Sequence, residues 1–154
     1  VELDLSHNVT LGGSGESWSH LTKMKHLKKL DLSSCSLTGE DVKHITLSMS
    51  TMPNPVTLNL SGNGTLGGSG ESWSQLTKMK HLKELDLRSC SLTEEDVKHI
   101  ALSMSTMPNL VTLNLSDNGS LGGSGKSWSH LTKMKHLMKL DLCSCSLTGE
   151  DVKH

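Results

Sequence analysis

Leu27-Lys28-Lys29-Leu30-Asp31-Leu32-Ser33-Ser34-Cys35-Ser36-Leu37 decides how this chain folds. Leu30 and Leu32 stand at alternate positions, the period of a β-strand. Both therefore turn to one face while Lys29, Asp31 and Ser33 turn to the other. The same Leu-x-Leu pair starts at Leu3, Leu30, Leu58, Leu85, Leu113 and Leu140, so the steps alternate between 27 and 28. Six evenly spaced strands of one pattern predict a parallel sheet. Parallel neighbours cannot be joined by a hairpin, so each step must contain a crossover, and the length of the step leaves room for a helix.

A longer period lies over the short one. Val1-Glu2-Leu3-Asp4-Leu5-Ser6 returns as Val56-Thr57-Leu58-Asn59-Leu60-Ser61 and as Val111-Thr112-Leu113-Asn114-Leu115-Ser116, a period of 55. The chain therefore divides into blocks 1–55, 56–110 and 111–154, the last incomplete, read as one domain of two units per block. Residues 1–55 and 56–110 differ at ten positions, close enough for a tandem duplication or a consensus-style design. Within a block one unit ends its strand on Asn8, Asn63 or Asn118, and the other on Cys35, Cys90 or Cys145. A buried Asn amide can bond the turn backbone, and Cys is small enough for the same inward slot.

Both crossovers carry helix signals. Thr38 stands as an N-cap before Glu40 and Asp41, with Val42, Ile45 and Met49 at helical spacing and Pro53 beyond the end. In the other crossover Trp18, Leu21 and Met24 form an apolar stripe after the Gly12-Gly13 bend, and Lys23, Lys25 and His26 lie near its end. Acids are thus expected to start the helices and bases to finish them. Helices are wider than strands, so the stack must curve with the strands inside.

Composition narrows the function. The 154 residues include three Trp and no Phe or Tyr, which suits a ladder of aliphatics better than a single globular core. The net charge of -1 lacks the basic excess that nucleic-acid binding requires. No apolar run approaches the length of a membrane span. The chain opens inside one repeat and closes inside another, and so reads as a piece of a longer protein. Its uncapped ends predict self-association. Equivalent cysteines two units apart are too distant for disulfides, so Cys35, Cys90 and Cys145 are expected to be reduced and buried.

The alternating spacing, the Asn/Cys alternation and a helix in every unit resemble the ribonuclease-inhibitor class of leucine-rich repeats, over the whole chain. Leu30-Asp31-Leu32-Ser33-Ser34-Cys35-Ser36-Leu37-Thr38 is most similar to the C-terminal repeats of NOD-like receptors. The resemblance implies an α/β solenoid, a right-handed β-α horseshoe arc with six strands inside and helices outside. It also implies a non-enzymatic, cytoplasmic role: the ligand-sensing or autoinhibitory arm of an innate-immune receptor, whose partner is a protein ligand or the rest of its own parent chain. The alternatives are a structural or engineered scaffold and an enzyme inhibitor like the ribonuclease inhibitors.

Strand alternation selects the candidate contact residues. They are Glu2, Asp4, Ser6, Lys29, Asp31, Ser33, Thr57, Asn59, Ser61, Glu84, Asp86, Arg88, Thr112, Asn114, Ser116, Lys139, Asp141 and Cys143. Aromatic anchors are missing, which points to a spread, polar contact. Thirteen of the 55 block positions vary between copies. Positions 2, 4, 29 and 33 are concave; 16, 20, 39 and 46 lie elsewhere, which favours drift at exposed sites.

No catalytic residue, metal or cofactor is expected. His26, His81 and His136 are strung along the stack instead of converging, and Cys143-Ser144-Cys145 is not zinc-site spacing. Gly122-Gly123-Ser124-Gly125-Lys126-Ser127 lacks the four-residue gap of a phosphate loop. The sequons at Asn8, Asn63 and Asn118 fall on the predicted buried turn residue. Those at Asn59 and Asn114 would matter only in an extracellular protein.

Overall fold

A computed structural model describes residues 1–54 and 56–153. Six short strands, β1 (Glu2–Asp4), β2 (Lys29–Asp31), β3 (Val56–Asn59), β4 (Leu82–Asp86), β5 (Thr112–Asn114) and β6 (Lys139–Asp141), form one parallel sheet in chain order. The register places Leu3, Leu30, Leu58, Leu85, Leu113 and Leu140 side by side. The Leu-x-Leu pairs of β2 to β5 are buried at 1% exposure or less, so each Leu removes nearly all its apolar surface from water. Helices pack behind the sheet in an open α/β solenoid arc.

Helices α1 (Gly39–Met49) and α2 (Glu94–Met104) begin as the sequence predicts. The Thr38 and Thr93 hydroxyls accept from the Asp41 and Asp96 backbone N–H, and each aspartate carboxylate accepts from its threonine's backbone N–H, a complete capping box. The expectation that bases finish the helices fails here: neither α1 nor α2 has a basic residue in its last turn.

The other crossover also departs from expectation. Gly15–Lys23 and Gly70–Lys78 are 3-10 helices; only the third copy forms a short α-helix, α3 (Lys126–Leu131). Trp18, Leu21 and Met24 recur at every third position, and in a helix with a three-residue turn such side chains eclipse on one face. Trp128, Leu131 and Met134 keep the same spacing around α3, so the stripe is compatible with either helix. Val42, Ile45 and Met49 follow the 3-then-4 spacing of an α-helix.

The bend before each 3-10 segment explains one glycine per block. A Cβ on Gly12 would lie 1.9 Å from the Ser36 carbonyl oxygen, and one on Gly67 1.9 Å from that of Ser91. Successive units approach so closely that only a hydrogen fits there.

The turn ladder runs through the stack. The Cys35, Cys90 and Cys145 thiols donate to the carbonyls of Leu5, Leu60 and Leu115 at 3.0–3.1 Å. The Asn63 and Asn118 amides donate to those of Leu32 and Leu87, and their side-chain oxygens accept the backbone N–H groups of Cys35 and Leu37, and of Cys90 and Leu92. Asn and Cys therefore fill one slot by the same act, donating backwards to the preceding unit. Asn8 departs from the buried placement expected of it. It is exposed and bonds only within its own turn, to the carbonyls of Leu5 and Ser6.

Candidate protein-interaction face

The outward side chains of the sheet stand in three columns. The register aligns Glu2, Lys29, Thr57, Glu84, Thr112 and Lys139 in the first, and Asp4, Asp31, Asn59, Asp86, Asn114 and Asp141 in the second. Ser6, Ser33, Ser61, Arg88, Ser116 and Cys143 follow two positions later. A shallow groove of about 240 Å³ runs over β2 to β6 along the first two columns.

The second column also has a local task. Each of its members accepts, through one side-chain oxygen, the backbone N–H two positions on: Ser6, Ser33, Ser61, Arg88, Ser116 and Cys143, all at 2.9–3.0 Å. These are Asx turns, and they end the strands. The exchange of Asp for Asn at Asn59 and Asn114 keeps the turn while changing the charge. Asn59 also donates to the second oxygen of Asp31 at 3.1 Å, and Arg88 lies 3.7 Å from Asp86. Hydrogen bonds from the Ser6 hydroxyl and backbone hold the Asp4 carboxyl below the ordinary carboxylate range.

One predicted contact residue is withdrawn from solvent. Ser116 is buried, and its hydroxyl donates to Asn114 at 2.7 Å, so it supports the turn instead of facing outward. Cys143 is exposed and Cys145 buried, as strand alternation requires.

First-turn acids of the helices also join the units, a role that helix signals alone do not predict. The Asp41 carboxylate accepts the Trp18 indole N–H at 2.9 Å and the Gly13 backbone N–H at 2.8 Å, besides both donors of Thr38. Asp96 does the same for Trp73, Gly68, Gly70 and Thr93. Burial alone would raise these two carboxyls, but the hydrogen bonds outweigh it and hold both below their ordinary value. Asp151 is held low by the N–H groups of Gly123, Thr148 and Gly125. The sequence does carry a signal: Trp18 and Asp41, Trp73 and Asp96, and Trp128 and Asp151 keep one fixed separation.

Gly39 of the first block faces Ser69 and Ser72 of the second, where a Cβ would come within 2.9 Å of both hydroxyls. At the next junction Glu94 replaces that glycine. It accepts from the Ser124 hydroxyl at 2.8 Å and lies 3.8 Å from Lys126, which stands where the second block has Glu71. Two variable positions thus meet across one junction with opposite charges.

Among the described residues no group of three or more His, Cys, Asp or Glu is placed to hold a metal ion. No helix among them is long and apolar enough to cross a membrane.

A family model described as Leucine Rich repeat matches residues 23–45, 78–101 and 106–125. "NACHT, LRR and PYD domains-containing protein 3" of Bos taurus is 35% identical over 97% of this chain, which spans 15% of that protein. "NACHT, LRR and PYD domains-containing protein 14" of Mus musculus is 32% identical over 80% of this chain, which spans 13% of it. With the strands in register and the Asn/Cys ladder between them, the chain is a leucine-rich-repeat solenoid, a protein-interaction fold whose repeats resemble the C-terminal repeats of NOD-like receptors.

Proposed function

We propose that this chain acts as a single non-enzymatic binding domain, the ligand-sensing or autoinhibitory arm of a cytosolic innate-immune receptor, and that the concave sheet is its contact surface. The observation that carries the reading is the in-register display of polar side chains across six strands. Four of the thirteen variable repeat positions fall on this face, where for example Lys29 becomes Glu84 and Ser33 becomes Arg88, while the Leu-x-Leu ladder beneath is constant. Similarity to two NACHT- and LRR-containing proteins supports the receptor setting. The partner is then a protein ligand or another part of the parent chain.

The test is affinity capture from cell lysate, comparing the chain with a Lys29→Glu, Arg88→Glu, Lys139→Glu variant. These exposed residues have no core role, so the variant should fold normally. A partner retained by the original chain and lost by the variant is the expected result. The near-identity of the copies favours a second reading, a repeat scaffold without its own ligand; under it the two chains capture the same background.

A further inference from the structure

We infer that the groove over β2 to β6 recognises an extended, polyproline-type segment of a partner protein carrying acidic, basic and acidic side chains at every third position. The inference rests on the concave face being the contact surface. Along the first column the order is Lys29, Thr57, Glu84, Thr112, Lys139, a cation, an anion and a cation separated by single threonines. Neighbouring strands lie about 4.8 Å apart, so successive charges are about 10 Å apart. A polyproline II segment rises about 3.1 Å per residue with a three-residue turn, which brings side chains i, i+3 and i+6 to one face at about 9.3 Å intervals. The two periods match. A β-strand fails the comparison, because its residues i and i+3 point to opposite faces.

The chemistry of the groove favours the same occupant. A polyproline II backbone has no internal hydrogen bonds and needs partners, which the Thr57 and Thr112 hydroxyls and the neighbouring asparagine amides supply. An α-helix has satisfied its backbone and docks through an apolar stripe, and it is about 10–12 Å across. The groove offers neither an apolar floor of that extent nor the volume, at about 240 Å³. The three charges are also available. Among the described residues none of Lys29, Glu84 and Lys139 is held in an ion pair. The aspartates beside the lysines are engaged: Asp31 by Ser33 and Asn59, and Asp141 by the Cys143 N–H. Asp86 beside Glu84 is engaged likewise, by the Arg88 N–H and guanidinium, so the charge order is set by Lys29, Glu84 and Lys139 themselves.

The probes are labelled synthetic peptides tested by fluorescence anisotropy: Asp-Pro-Pro-Arg-Pro-Pro-Asp, its charge inverse Arg-Pro-Pro-Asp-Pro-Pro-Arg, and a triple-acid form with Asp in all three places. The first should bind about tenfold more tightly than its inverse and weaken as salt rises. Glu84→Lys should exchange that preference for the triple-acid peptide, with an unchanged circular dichroism spectrum confirming the fold. Equal binding of the first peptide and its inverse, no binding of any of the three, or a Glu84→Lys variant with unaltered preference overturns the inference. So does selective binding of a helical peptide with charges at heptad spacing. If the peptides fail while lysate capture still depends on Lys29, Arg88 and Lys139, the concave face stands as the contact surface and only the charge order falls.

Discussion

Asp96 accepts five hydrogen bonds, from the backbone of Gly68, Gly70 and Thr93, the Thr93 hydroxyl and the Trp73 indole, and it is fully buried. An asparagine there keeps the shape but offers one acceptor oxygen and aims an NH2 at groups that are themselves donors. Asp96→Asn should therefore cost about 2–4 kcal/mol in urea denaturation, since several buried donors lose their partner at once. The pH dependence follows from the direction of the shift. The folded carboxyl is held below its unfolded value, so its contribution is fully present above about pH 4 and is lost as pH falls through the folded value. Stability should thus decline on acidification below about pH 4, and Asp96→Asn should flatten that decline. An equally steep decline in the variant would assign it to other carboxylates. The thiols give a second prediction. Burial pushes Cys90 up to about 12 and raises Cys35 and Cys145, so a thiol-specific reagent at neutral pH should titrate Cys143 alone until the chain is unfolded. Fast reaction of a second thiol in the native protein would contradict the ladder in which the buried thiols donate.

At the scale of elements, the strands are legible in the sequence because period two leaves no ambiguity about which leucines face inward. The α-helices are legible through Thr38 and Thr93 and the acids that follow. Thr93→Ala should cost about 1–2 kcal/mol by thermal unfolding, because it removes the hydroxyl that holds the Asp96 N–H and donates to its carboxylate. The Trp18 and Trp73 segments are legible as helical, but not their kind. An apolar residue at every third position suits a 3-10 turn and passes for an α-stripe over so short a stretch, and with the same spacing the Trp128 segment forms α3. The failed expectation about basic last turns has a similar origin. Lys23 and His20 do close a 3-10 segment, but that rule does not extend to α1 and α2, which end in Leu47-Ser48-Met49 and Leu102-Ser103-Met104. The charged junction is illegible for another reason. Glu94 and Lys126 belong to different blocks, and only the stacking of helix on helix brings them together. Both are substantially exposed, so Lys126→Glu should change stability by less than about 1 kcal/mol, measured by the same unfolding.

At the scale of the whole molecule, the outward positions can be read from the sequence, but not the work each does. The alternation of a strand specifies direction only; that the second column is committed to Asx turns, and that Ser116 folds back onto Asn114, depends on backbone geometry after the strand. A solenoid adds a further constraint, because each unit contacts only its neighbours and stability is a sum of local interfaces. Leu85 is flanked by units on both sides and is buried at 1% exposure, whereas Leu3, its counterpart on the edge strand β1, is only partly buried beside an open apolar hollow lined by Leu5, Leu11 and Met24. Leu85→Ala should therefore cost about 2–5 kcal/mol, the range for a buried leucine that leaves a cavity. Leu3→Ala, at an equivalent place in the repeat, should cost about 1 kcal/mol, because less surface is returned to water and neighbouring atoms can relax into the gap. Paired urea denaturation of the two variants measures the difference directly. Equal losses would mean that the edge unit is bound as firmly as the centre, and the nearest-neighbour account of this arc would have to be abandoned.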